Sequence, residues 1–380
     1  MTRARSGLLF LLCALTYAPG AYALPTMIRL GYTGCATCHF APQGGGPLNP
    51  YGRSIDEAQS LRAGEYRPRD NRLVRTVSWN GRIAQDLRVL FPMHRTWSAH
   101  EPVEGSVRAR LQYRNFTQLS KGFAVHLIAT GETDPAPRPV RVYDPAFESS
   151  SPVLNVALVQ YRAAPGVDVF VGRDQLPAGV ATPDASVFFK ARNRVGFYDA
   201  PTQLKVHWEG KRHRVVPFVF APGGNEPAGE GESGGGTLAE FDPFGTHHVM
   251  IGGSYLRGGA TNGSREVIGG HARLGFGAWG ILAQHDITNR DRDASGPFRQ
   301  HASYAQVFWA AREWLVASAI AERLSVRAPF EERRNGGAIE LAARLTSVAT
   351  VGSSVRVQYD VLTRRTSRSI TFQLALKTVY

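Results

Sequence analysis

From about residue 78 to the last residue, apolar and polar side chains alternate with a period of two in one segment after another. In 367–380, Ile370, Phe372, Leu374, Leu376, Thr378 and Tyr380 share one face, while Thr371, Gln373, Ala375 and Lys377 share the other. In 350–361, Val351, Val355, Val357, Tyr359 and Val361 oppose Gly352, Ser354, Arg356, Gln358 and Asp360. In 103–115, Val107, Ala109, Leu111 and Tyr113 oppose Arg108, Arg110, Gln112 and Arg114. Side chains on successive strand residues point to opposite faces, so each segment is a strand with one apolar wall and one polar, often charged, wall. No apolar stretch after residue 23 is long enough to cross a bilayer as a helix. If the chain resides in a membrane, it must do so as a closed barrel, the only strand structure that satisfies every backbone group in lipid.

The alternation predicts an all-β, transmembrane antiparallel β-barrel of about 16 strands, with a small N-terminal segment as a plug. The expected strands are 78–91, 103–115, 123–131, 153–163, 166–173, 186–198, 202–209, 213–221, 246–257, 264–275, 276–287, 301–311, 314–327, 336–348, 350–361 and 367–380. Short connections after even strands and longer ones after odd strands fit periplasmic turns and outer loops. The Gly- and Glu-rich run 222–245 breaks this pattern. It reads as a mobile acidic linker on the periplasmic side, or as the sign of a strand missed or added nearby; fourteen strands are an alternative count. The competing fold is a soluble sandwich or propeller.

Residues 1–23 read as a signal peptide. Arg3 and Arg5 precede an apolar run, Gly7–Leu15, and Ala21-Tyr22-Ala23 is a small-residue cleavage site. Residues 24–71 form a separate segment, and 72–380 the barrel. The formal charge of the chain is +13. An exported chain is a poor candidate for nucleic acid, and the arginines are interleaved with apolar residues instead of gathered in a tail. Arg82, Arg88, Arg108, Arg110, Arg114, Lys190, Arg192, Arg194 and Arg273 are therefore expected to point into the lumen, among Asp86, Glu340 and Asp360. Such a field favours anions or an acidic partner.

Once Cys13 leaves with the signal peptide, two cysteines remain, in Cys35-Ala36-Thr37-Cys38-His39. The spacing is that of covalent haem c attachment, with both thiols on the vinyl groups and His39 on the iron. A redox dithiol, half a zinc site or a simple disulfide are the alternatives. The adjacent histidine and the exported context favour haem over them. The segment is rich in Pro and Gly and too small to bury a haem alone, so the barrel is expected to complete the pocket, with the segment plugging its periplasmic end. The sixth ligand is open: Met27 is named first, His126 and His271 compete, and an unoccupied position is the remaining choice.

The run Met27-Ile28-Arg29-Leu30-Gly31-Tyr32-Thr33-Gly34 before Cys35, with Pro47-Leu48-Asn49-Pro50-Tyr51-Gly52-Arg53 after it, resembles the fused monohaem cytochrome–porins of bacterial outer membranes, best known as iron-oxidising cytochromes. Beyond the N-terminal motif, the likeness is architectural. It implies one haem held by Cys35, Cys38 and His39 at the periplasmic side. Electrons would pass between an extracellular redox partner or metal ion, ferrous iron included, and periplasmic c-type cytochromes across the outer membrane. An electron carrier is favoured over an enzyme. The alternatives are a porin or solute transporter in which the segment is a structural plug or sensor, and a haem enzyme with an open distal site.

Overall fold

The structure is a computed structural model that describes residues 25–32, 37–39, 47–61, 82–98, 101–107, 109–132, 153–180, 187–196, 199–223, 231–292, 296–327, 331–346 and 348–379. The expected signal peptide, Cys35, Arg108 and Tyr380 lie outside them.

Strand segments β1 (Ile83–Ser98), β2 (Glu101–Val107), β3 (Arg110–Gln118), β4 (Phe123–Glu132), β5 (Val153–Ala164), β6 (Val167–Arg173), β7 (Thr202–Glu209), β8 (His213–Ala221) and β9 (Ser233–Phe241) make the first half of one sheet. The second half is β10 (Val249–Ala260), β11 (Gly263–Phe276), β12 (Trp279–Arg292), β13 (Phe298–Arg312), β14 (Leu315–Arg327), β15 (Glu332–Arg344), β16 (Ala349–Asp360) and β17 (Arg365–Val379). All neighbours are antiparallel. The sheet closes through β1 against β17, with Asp86 opposite Val379 and Ser98 opposite Ser367. β2 and β3 are two halves of one strand, because β1 pairs both in a single register, from Met93 opposite Val107 to Ile83 opposite Thr117. The 17 segments thus form a barrel of sixteen strands.

The two faces are inverted relative to a soluble protein. Leu111, Val159, Leu204, Ile251, Ile268 and Ile339 are exposed on the outside, whereas Asp86, Arg114, Gln160, Lys205, Glu240 and Gln284 are buried on the inside. An apolar exterior over a polar interior is the arrangement that lipid outside and water inside require. Connections at one end are short, such as 165–166, 277–278 and 313–314, and those at the other include 133–152 and 174–201. By this asymmetry the short turns face the periplasm.

Two strand assignments are corrected. Residues 186–198 are not a strand: they lie in the outer connection 174–201, which contains the short helix α2 (Phe188–Asn193). Residues 233–241, expected to be linker, are strand β9, paired to β8 and β10. The two errors cancel in the count and move the acidic run to the outer side, where 222–232 joins β8 to β9. The glycines that made 233–241 look like linker are needed in the wall. A Cβ on Gly236 would stand 2.7 Å from the Phe218 ring, and one on Gly258 would stand 3.0 Å from the Phe220 ring. Small residues on β9 and β10 make room for large aromatics on β8.

Candidate functional site

The lumen is the candidate site, and three groups of residues shape it. The first is the connection 174–201. Its described residues lie inside the barrel, where Val180, Val187, Phe188 and Phe189 pack on lumen-facing Phe298, Tyr304, Ile320 and Leu324. The Phe189 and Tyr304 rings meet edge to face, 5.5 Å between centroids. Leu176 and Val195 pack on Phe218, Phe220, Leu256 and Val267. Polar anchors fix the same segment: Val180 N donates to Gln284 (2.7 Å), Phe188 N to Glu322 (3.1 Å), and Asn193 Nδ2 to Asp286 (2.8 Å). Arg290 Nη2 donates to the carbonyl of Arg192 (2.6 Å), and Arg192 pairs with Glu332 (2.8 Å). α2 ends at Arg194, whose φ of 52° is left-handed. The alternation of Phe189, Ala191 and Val195 with Lys190, Arg192 and Arg194 that suggested a strand falls on and just past this short helix, whose phenylalanines pack on the wall while Arg192 pairs with Glu332 of β15.

The second group is a set of charge clusters in which each carboxylate serves more than one cation. Arg114 Nε donates to Asp86 (2.7 Å), and Arg88 stands 3.4 Å from the same carboxylate. Glu240 receives Arg214, Arg273 (2.9 Å) and His271 Nε2 (3.0 Å). Glu332 receives Arg334 (2.7 Å) as well as Arg192. The Asp86 and Glu240 clusters keep a net positive charge, whereas Arg334 also faces Asp360 (3.7 Å), which balances the Glu332 cluster. Arg88, Arg114 and Arg273 are where the sequence placed them. Lys190, Arg192 and Arg194 reach the lumen from the inserted connection, not from the wall, and Arg82 is exposed. The sequence reading missed Lys205, which is buried on the lumen side of β7 and paired with Asp174.

The third group lies at the end of the barrel that carries the short turns. A 3-10 turn, Pro25–Leu30, places Ile28 at 1% exposure against the cluster that includes Met250, Leu282 and Phe308. Gly275 allows this approach, since a Cβ there would lie 2.5 Å from the Ile28 carbonyl. His248 Nδ1 lies 3.1 Å from that carbonyl oxygen, and Arg29 pairs with Glu313 (3.3 Å). Helix α1 (Pro50–Ala58) carries Asp56 to Lys377 and Arg344, the latter at 3.4 Å. Gln59 accepts from Arg344 Nη1 (3.0 Å), and Leu61 N donates to the Arg344 carbonyl (2.8 Å). Burial opposes the charge on Asp56, but Lys377, Arg344 and Arg88 outweigh it and hold this carboxyl below the ordinary range.

Cys35 lies outside the described residues, and the described ones among those expected to hold haem do not come together as a metal site. Gln59 Nε2 is 3.8 Å from the sulfur of Met27. His126 Nε2 is 2.7 Å from Gln160 in the wall of β4 and β5, and His271 belongs to the Glu240 cluster of β9 and β11. His39 is buried in the N-terminal segment and bridges to Leu48, and Cys38 is half-buried beside it. Among the described residues, no three His, Cys, Asp or Glu side chains converge where a metal ion could sit. The reading of a haem c protein, with its iron binding, electron transport and likeness to cytochrome–porins, is corrected accordingly.

The comparisons point the same way. No protein-family model and no curated protein matches the sequence. Among solved structures, the chain is similar to Pseudomonas putida OprB, with 10% identity over 80% of this chain and 96% of that one and a TM-score of 0.59. It is similar to OmpT, an outer membrane protein of Vibrio cholerae, with 7% identity, 78% and 98% coverage and a TM-score of 0.57. It is also similar to an anion-selective porin from Comamonas acidovorans, with 9% identity, 78% and 100% coverage and a TM-score of 0.55. These likenesses define the class of fold: a sixteen-stranded barrel of the outer-membrane porin type, spanning nearly the whole of each of those chains.

Proposed function

We propose that this protein is an outer-membrane porin that passes small polar solutes and prefers anions. The observation that carries the reading is the charge of the lumen clusters: Asp86 and Glu240 are each shared by two arginines, and Asp56 by Lys377 and Arg344, so these clusters have a surplus of positive charge. A surplus of one sign on a low-dielectric wall raises the local concentration of the opposite ion. The resemblance to a barrel described as an anion-selective porin supports the same choice. The inserted connection packs on the lumen side of β8 and β10 to β14, and the passage in this proposal runs along the opposite arc, around β16, β17 and β1 to β4. Arg88, Arg114 and Arg356 line that arc. Liposome swelling tests the proposal: small anionic solutes should enter faster than cations or neutral solutes of the same size. Equal rates for all three would overturn the anion preference, and no swelling would overturn the porin.

The N-terminal segment acts in this reading as a partial cover, because α1 is tied to Arg344 and Lys377 beneath the open arc. Two further outcomes are expected. D56N should loosen the cover and raise conductance while leaving the barrel folded. Acid should do the same to the wild type. A carboxyl whose pKa is depressed when docked contributes to docking above its free pKa, and that contribution is lost as pH falls through the docked value, beneath the ordinary carboxyl range. Conductance of single channels recorded as pH is lowered, in wild type and in D56N, checks both; the acid step should be smaller in the variant.

A further inference from the structure

The outer wall carries a charge pattern that conduction does not use. Its outward positions are mostly apolar, as on β8, where Val215, Pro217, Val219 and Ala221 face out. On the outer half of β13 to β15 the same face instead carries Arg299, Arg323, Arg327 and Arg333, all exposed. The registers pack them tightly. Arg299 is directly opposite Arg327. Arg333 is opposite Ser325, which sets it diagonal to both Arg323 and Arg327. Across an antiparallel pair, opposite residues lie about 5 Å apart and diagonal ones about 7–8 Å. His285 and His301 adjoin the group, with ring centroids 5.7 Å apart, and Ser303, opposite Arg323, is 2.9 Å from His285 Nδ1.

Like charges directly opposite one another destabilise a sheet, and arginine on the lipid face of a barrel is unfavourable near the bilayer midplane. None of the four arginines has a carboxylate partner among the described residues. Height explains how the group is tolerated. Trp279 and Trp309 stack on the outward face, 5.7 Å between centroids, beside the periplasmic turns. Arg299 precedes Trp309 by ten residues on β13. On a strand tilted by about 45° that separation is roughly 24 Å along the membrane normal, close to the height of the apolar band. The Arg299–Arg327 pair therefore lies at the outer headgroup level, and Arg323 can extend its stem up to it.

We infer that this patch binds the phosphate groups of an outer-leaflet lipid headgroup, with the acyl chains lying along the apolar wall below it. Guanidinium forks on adjacent strands suit phosphate oxygens, because each can donate two parallel hydrogen bonds. One dianionic headgroup would relieve the repulsion among several arginines at once. The inference depends on the barrel's placement in a membrane and not on what the lumen passes.

The test uses the full chain, folded and stripped of lipid in detergent, and titrated with bisphosphorylated lipid A under native mass spectrometry. The wild type should bind it at least tenfold more tightly than dephosphorylated lipid A, and R299Q/R327Q and R323Q/R333Q should each lose about tenfold in affinity. Swelling rates of the two variants should match the wild type, which shows that the barrel is intact. Equal affinity for the two lipids in the wild type would overturn the inference without any variant. Competition by millimolar inorganic phosphate would also overturn it in favour of a free-anion site. A change in oligomeric mass with lipid binding intact would overturn it in favour of an interface between copies of this chain.

Discussion

Replacing residues 176–196 with a short glycine–serine link is expected to raise single-channel conductance severalfold and to weaken anion preference. The cut is feasible because the strands it joins already meet, with Arg173 opposite Thr202 in the β6–β7 register. The gain follows from volume. The segment removed contains Val180, Val187, Phe188 and Phe189, which fill the lumen against β13 and β14. The loss of preference follows from charge, since Lys190, Arg192 and Arg194 leave with it. The same change strips cover from Phe298, Tyr304, Ile320 and Leu324, so the shortened barrel should also unfold at a lower temperature. Conductance and reversal potential in planar bilayers, together with a thermal unfolding trace, check the three effects. Unchanged conductance would show that the connection does not narrow the passage.

The second large effect concerns Glu240. E240A should destabilise the folded barrel by about 3–5 kcal/mol, because it removes the one carboxylate that Arg214, Arg273 and His271 share at a buried point on the wall. A buried ion pair is weak evidence for stability as a whole, but losing one partner leaves the others desolvated and unbalanced. The comparison with R273A/E240A separates the two contributions: removing a cation along with the carboxylate should restore part of the loss. Urea unfolding of barrels in lipid vesicles, followed by tryptophan fluorescence, reads both variants. A loss under 1 kcal/mol in E240A would mean that water in the lumen solvates the cluster.

Most of the wall was legible because the period-two pattern is direct. Lipid outside and water inside force apolar and polar residues onto alternate positions, as Ile370, Phe372, Leu374 and Leu376 do on β17. The two misassigned segments failed for physical reasons. Lys190, Arg192 and Arg194 alternate with apolar residues over too short a run to tell a strand from the short helix that packs inside the barrel, with Phe188 and Phe189 on the apolar wall and Arg192 on Glu332. Gly234, Gly235 and Gly236 read as linker because sequence alone does not show that the Phe218 ring on the next strand needs the space. The N-terminal reading failed differently. Cys38 and His39 carry a strong local motif, but a five-residue spacing does not state which side chains the fold will bring opposite. Met27, His126 and His271 lie in three separate networks. In the structure, Ile28 packs on Met250, Leu282 and Phe308, and Asp56 pairs with Arg344 and Lys377.

The lumen assignment rests on the sign of its field. Reconstituted in a planar bilayer under a steep KCl gradient, the wild-type channel should reverse at a potential of the sign set by chloride crossing faster than potassium, and the preference should weaken as ionic strength rises. A reversal potential of the opposite sign, or none, would contradict the reading of a basic, anion-preferring pore.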